Sequence, residues 1–187
     1  MAGRIILVTG GARSGKSDFA ESLAVSLDGQ KAYIATAEVT DEEMARRVSA
    51  HKKRRPADWI TAEVPRHLPD ALPQLFIKAD VILIDCLTVY VATLLYDYRE
   101  CLPRVIEDRA GEEMREILRL LRQSGKSVIL VTNEVGSGIV PPDAVSRLFR
   151  DVAGRVNRLA AAEADEVYLS VSGLAVEIKS RAVTKGE

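Results

Sequence analysis

The residues best equipped for chemistry form the run Gly10-Gly11-Ala12-Arg13-Ser14-Gly15-Lys16-Ser17. It follows a short apolar segment, Arg4–Thr9, and precedes helical periodicity over Lys16–Leu27. That strand–loop–helix setting makes a G-x-x-x-x-G-K-S run informative. Glycines let backbone N–H groups converge on phosphate oxygens. The helix opening near Lys16 aims its positive end at the anion. Lys16 adds a mobile cation for the β- and γ-phosphates, and Ser17 a hydroxyl for Mg²⁺. The pattern leads us to expect a bound nucleoside triphosphate without specifying the reaction.

Asp85 is the second candidate. It ends the apolar run Val81–Ile84, and a carboxylate at the C-terminal end of a buried parallel strand faces the ligand crevice. There it could hold Mg²⁺ directly or through water. The plainer alternative is an aspartate that caps the following helix.

The third candidate is His51, set in the basic stretch Arg46-Arg47-Val48-Ser49-Ala50-His51-Lys52-Lys53-Arg54-Arg55. It falls seven residues after Met44 and three after Val48, extending the inward stripe of a helix expected over Asp41–Arg54. A neutral imidazole among cations suits attack on an α-phosphate, with the cations absorbing charge. Taken alone, the residues favour the plainer alternative: a basic helix end matched to its dipole, with a histidine that packs. The other histidine, His67, lies in a proline-rich segment without such company.

These residues need a scaffold. The runs Arg4–Thr9, Lys31–Ala35, Val81–Ile84 and Ser127–Thr132 are rich in β-branched residues and do not alternate with polar ones. They read as strands buried on both faces, as in a parallel sheet. Glu166–Val171 and Leu174–Ile178 follow, joined by Ser172-Gly173 as a tight turn, so the last strand is expected at an antiparallel edge. Helices are expected over Lys16–Leu27 (stripe Phe19, Leu23, Leu27), Asp41–Arg54, Arg109–Ser124 (Met114, Ile117, Leu118, Leu121) and Pro142–Asp165 (Val145, Leu148, Val152, Val156, Leu159). The stretch Val81–Tyr96 is broken by Asp85 and reads as strand plus helix rather than a membrane span. Arg99–Ile106 has no clear period. Alternating strands and helices predict an α/β, P-loop NTPase-like, doubly wound and mostly parallel sheet in a single domain, residues 1–180. Residues 181–187 form a polar tail, expected to be disordered.

Composition narrows the function classes. The 187 residues are 47% hydrophobic and 28% charged with a formal net charge of −1, an ordinary globular balance. Long-range attraction to nucleic acid or anionic membrane is therefore not expected, and few aromatics accompany the 52–55 basic run. Cys86 and Cys101 have no metal-ligand spacing, so a reducing, cytoplasmic setting is expected. The opening MAGRIILVTGG lacks a signal peptide's long apolar region.

Several motifs then converge. Val8–Ser17, Tyr33-Ile34-Ala35-Thr36-Ala37, Asp41-Glu42-Glu43-Met44, His51-Lys52 with Arg55-Pro56 and Trp59, Asp85-Cys86-Leu87-Thr88, Val131–Pro141 and Phe149–Asn157 together resemble the bifunctional adenosylcobinamide kinase / adenosylcobinamide-phosphate guanylyltransferase family of cobalamin biosynthesis. The resemblance implies two reactions. The γ-phosphate of ATP or GTP passes to the aminopropanol hydroxyl of adenosylcobinamide. A histidine, here His51, then takes GMP from GTP and hands it to the cobinamide phosphate. By the same resemblance, Thr36, Ala37, Glu38, Lys53, Arg54, Arg55, Glu63 and Asp85 join the Gly10–Ser17 loop as nucleotide or magnesium contacts. Asn133 and Glu134 lie on the ligand side, and the assembly is a homotrimer. Ala50 stands where many relatives have a second histidine, and Arg158 where the family often has Gln. The competing readings are a P-loop small-molecule kinase without guanylyltransferase activity and a non-catalytic nucleotide-binding module.

Overall fold

The computed structural model describes residues 3–38 and 56–183. The expected helix over Asp41–Arg54, with His51, Lys53, Arg54 and Arg55, lies outside the described residues, as does the end of the polar tail.

Strands β1 (Ile5–Gly10), β2 (Lys31–Ala35), β3 (Ile60–Glu63), β4 (Val81–Asp85), β5 (Ser127–Asn133), β6 (Glu166–Val171) and β7 (Leu174–Glu177) form one sheet in the order β3-β2-β4-β5-β1-β6-β7. All neighbours pair in parallel except β6 with β7. The helices are α1 (Lys16–Ser26), α2 (Leu68–Lys78), α3 (Leu87–Asp97), α4 (Pro103–Ser124) and α5 (Ala144–Glu163).

Continuous apolar strands mean two buried faces, because successive side chains alternate sides. Ile5, Leu7, Ile34, Ile82, Ile84, Val128 and Leu130 enter one core with α2, α3, α4 and α5. The residues between them, among them Ile6, Val8, Tyr33, Leu83, Ile129 and Val131, enter a second core with α1.

Three expectations need adjustment. On α1 the fully buried residues are Ala20 and Ala24, while Phe19, Leu23 and Leu27 pack partly buried around them. Small side chains allow the helix axis closest to the sheet at that line. On α5 the stripe begins later than expected: Val145 is 73% exposed, and burial starts at Val152. Helix α4 begins at Pro103, six residues before the expected Arg109, because proline suits the first helical turn and Ile106 and Ala110 already extend the buried stripe.

Strand β3 and helix α2 had no clear sequence signal. β3 is a four-residue edge strand. In α2, Pro69 and Pro73 disguise a helix whose Leu68, Leu72 and Leu75 are buried. Ser172-Gly173 forms the turn between β6 and β7 with φ of 53° and 82°, positive at both positions as a two-residue hairpin loop requires.

Candidate active site at the ends of the parallel strands

Register brings the C-terminal ends of the parallel strands to one rim. Gly10 is paired with Asn133, Ala35 with both Glu63 and Asp85, and Asp85 with Val131. Asp85 is not on the strand beside the loop strand; β5 stands between β1 and β4. This placement sets Asn133 between the loop and the carboxylate, and strand order of that kind has no signature in the sequence.

The loop from Gly10 to Ser17 turns sharply into α1. Arg13 has φ 58° and Gly15 φ 88°, and Gly15 is the N-cap of α1 with no side-chain cap. Left-handed residues flanking Ser14 are the backbone pattern that gathers N–H groups into an anion-binding concavity. The Ser14 amide donates to the Gly11 carbonyl at 3.3 Å, and Lys16 Nζ donates to the same oxygen at 3.3 Å. Gly11, Ala12 and Arg13 are exposed, Gly15, Lys16 and Ser17 half-buried, and Ser14 buried with an Oγ that has no partner among the described residues.

Asp85 is half-buried at the end of β4, and the Tyr33 hydroxyl donates to its Oδ2 at 3.0 Å. Burial pushes the neighbouring Cys86 thiol up to about 12, with the Asp85 charge adding to the shift and the Lys16 cation opposing it. Helix α1, which opens at Lys16, packs against β4, which ends at Asp85, and Ala20 of that helix shares a core with Cys86, so the end of the loop and the carboxylate come to the same part of the rim. The Asp85 carboxylate and the Ser17 hydroxyl are hard oxygen donors of the kind that would suit Mg²⁺.

Thr36 is fully buried and its hydroxyl is committed: it accepts from the Cys86 amide at 2.8 Å and donates to the Cys86 carbonyl at 2.7 Å. Its part at the site is to hold the chain leaving Asp85. Ala37 is half-buried beside it. Glu38 is exposed and accepts from Arg66 at 2.9 Å, and Arg66 also grips Asp97 at 2.8 Å. Glu63 is exposed at the end of β3.

A closed ring of hydrogen bonds sits below the rim. The Asn133 amide donates to Thr88 Oγ1 at 2.6 Å, the Thr88 and Thr132 hydroxyls meet at 3.0 Å, and Thr132 Oγ1 donates to Asn157 Oδ1 at 2.6 Å. Asn157 Nδ2 returns to the Asn133 carbonyl at 3.0 Å. Since Thr132 gives its proton to Asn157, Thr88 is the donor to Thr132. The ring ties α3, β5 and α5 together and fixes the strand end from which Glu134 donates its amide to the Gly10 carbonyl at 3.0 Å. Sequence reading placed Asn133 and Glu134 on the ligand side but did not find Tyr33. A buried tyrosine in an apolar strand gives no signal that its hydroxyl has a carboxylate to meet.

Comparison with known proteins shows the family. Residues 6–178 match the family described as cobinamide kinase / cobinamide phosphate guanyltransferase. The chain is 46% identical over 181 residues to the bifunctional adenosylcobalamin biosynthesis protein CobU of Salmonella typhimurium, covering 94% of this chain and 99% of that protein. It is 43% identical to the protein of the same name from Escherichia coli, with the same coverage. To the bifunctional adenosylcobalamin biosynthesis protein CobP of Pseudomonas aeruginosa it is 38% identical, covering 92% of this chain and 96% of that one.

Proposed function

The chain belongs to the cobinamide kinase / cobinamide phosphate guanyltransferase family, and from that premise we propose how its residues divide the work. The protein is an adenosylcobinamide kinase and adenosylcobinamide-phosphate guanylyltransferase. In the first reaction the substrate hydroxyl attacks the γ-phosphorus of ATP or GTP, and the nucleoside diphosphate leaves. The backbone amides of Gly10–Ser17 and the Lys16 ammonium hold the triphosphate in line and offset charge on the transferring group. Ser17 and Asp85 would hold Mg²⁺, which supplies further neutralisation of the phosphate oxygens when bound.

In the second reaction a ring nitrogen of His51 attacks the α-phosphorus of GTP. A nitrogen–phosphorus bond forms, the bond to the β-phosphate oxygen breaks, and pyrophosphate leaves. A phosphate oxygen of adenosylcobinamide phosphate then attacks the same phosphorus, giving adenosylcobinamide-GDP and free His51. Lys53, Arg54 and Arg55 would meet nucleotide charge near that step. Thr36 and Ala37 contribute by shaping the rim beside Asp85, and Glu38 and Glu63 by lining its outer end. A cytoplasmic homotrimer completes the reading, testable by sedimentation.

The observation that carries this reading is the shared rim, where the helix opened by the phosphate-binding loop packs on the strand that ends in the half-buried Asp85. The test uses GTP labelled at the α-phosphate, with Mg²⁺. The protein should acquire acid-labile label, His51→Ala should not, and His51→Ala should still phosphorylate adenosylcobinamide from ATP. Unlabelled wild-type protein, or label persisting in His51→Ala, would overturn the assignment of His51.

A further inference from the structure

We propose that the β6–β7 hairpin is the outer wall of the phosphate loop, and that Ser170 and Gly173 are positioning residues that aim the Gly15 amide at the phosphate. The inference rests on reading Gly10–Ser17 as the triphosphate cradle.

The Ser14 carbonyl is held from two sides by the hairpin. Ser170 Oγ donates to it at 2.7 Å and the Gly173 amide at 2.9 Å. Ser170 is 1% exposed, so this hydroxyl is not exchanged for water. In a trans peptide the C=O and the following N–H point in opposite directions. Fixing the Ser14 oxygen toward the hairpin therefore turns the Gly15 N–H the other way, into the concavity of the loop. That amide opens α1, where the helix dipole favours an anion.

The loop glycines answer to the same wall. A Cβ on Gly10 would lie 2.4 Å from the Ser170 carbonyl oxygen, and one on Gly15 3.1 Å from the Gly173 Cα. At Gly10 the hairpin backbone leaves no room for a side chain, and at Gly15, whose φ is already positive, it would have to give by a few tenths of an ångström. Gly10 and Ser170 are also paired partners across β1 and β6. The antiparallel hairpin that ends the sheet therefore does more than close an edge: it sets the conformation of a loop more than 150 residues earlier in the chain.

Ser170→Ala removes the hydroxyl without adding bulk, and Gly173 keeps one bond to the Ser14 carbonyl. Affinities for GTP (as the analogue with a methylene between the α- and β-phosphorus, which cannot transfer GMP), GDP and GMP are measured with Mg²⁺ by calorimetry, beside the unfolding midpoint of the nucleotide-free protein. The expected result is a loss of GTP and GDP affinity of about five- to tenfold, the equivalent of one net hydrogen bond, with GMP affinity nearly unchanged. The Gly15 amide resonance of ¹⁵N-labelled protein should shift on adding GTP, and shift less in the variant. Wild-type protein that binds no triphosphate would sink the reading of the cradle itself. Wild-type binding with an equal GTP affinity in Ser170→Ala, or a loss shared in the same proportion by GMP, would sink the positioning role alone.

Discussion

Tyr33 Oη lies 3.0 Å from Asp85 Oδ2 and donates to it, so the carboxylate that ends β4 takes its orientation from the neighbouring strand β2. Tyr33 is 3% exposed, and its ring is part of the core on the α1 side. One residue therefore packs the sheet with its body and orients a site group with its tip.

Tyr33→Phe keeps the ring and deletes the donor. The Mg²⁺ concentration giving half-maximal kinase activity should rise about tenfold, the usual scale for losing a group that orients a metal ligand. Titrating activity against Mg²⁺ at saturating nucleotide checks this, and an unmoved midpoint would refute it.

Among the described residues Lys16 donates only a long 3.3 Å bond, to the Gly11 carbonyl, and it is half-buried, so the described fold does not depend on its charge. Lys16→Ala should leave the unfolding midpoint unchanged while lowering kcat/KM of the kinase reaction roughly 10²–10³-fold, as expected when a charge aimed at a transferring group is lost. Steady-state kinetics beside thermal unfolding separates the two effects.

The buried ring makes a stability prediction. Thr132→Val leaves Asn157 Oδ1 without its donor and Thr88 without its acceptor, at a cost of about 1–3 kcal/mol in urea unfolding. Adding Asn157→Leu should cost less than the sum of the single changes, since the second removes a group the first has already orphaned. Strict additivity would show that the ring is not a unit.

Glu177 provides a pH test. The Ser180 hydroxyl, then the backbone amides of Ser180, Val167 and Lys179, hold its carboxyl down to about 2 from an ordinary 4.5. A depressed folded-state value means the stabilisation is complete above the unfolded value and is lost as protons bind. The protein should lose stability as pH falls from about 4.5 toward 2, with the hairpin end loosening. Glu177→Gln should flatten that segment of the stability–pH curve. An unchanged curve would show that the carboxylate is not responsible.

The same hairpin shows where sequence reading stops. Its strands and its Ser172-Gly173 turn were legible, because a two-residue turn with positive φ restricts the residue types that serve it. That its Ser170 hydroxyl grips the phosphate loop was not legible, because the two lie 156 residues apart and a serine in a strand has many uses. Helix α2 was hidden for a different reason: prolines ordinarily interrupt helices, and only the packing of Leu68, Leu72 and Leu75 shows that the helix outweighs them.

Local chemistry was thus written in the chain. The glycine–lysine–serine loop, the carboxylate closing an apolar strand, the doubly buried strands and the antiparallel end all follow from residue types and short spacings, which act through backbone conformation and hydrophobic alternation. Strand order came only with the tertiary structure, because non-local pairing depends on which surfaces bury best together. With it came β5 standing between the loop strand and Asp85, the hydroxyl of Tyr33 meeting that carboxylate, and the ring joining Thr88, Thr132, Asn133 and Asn157.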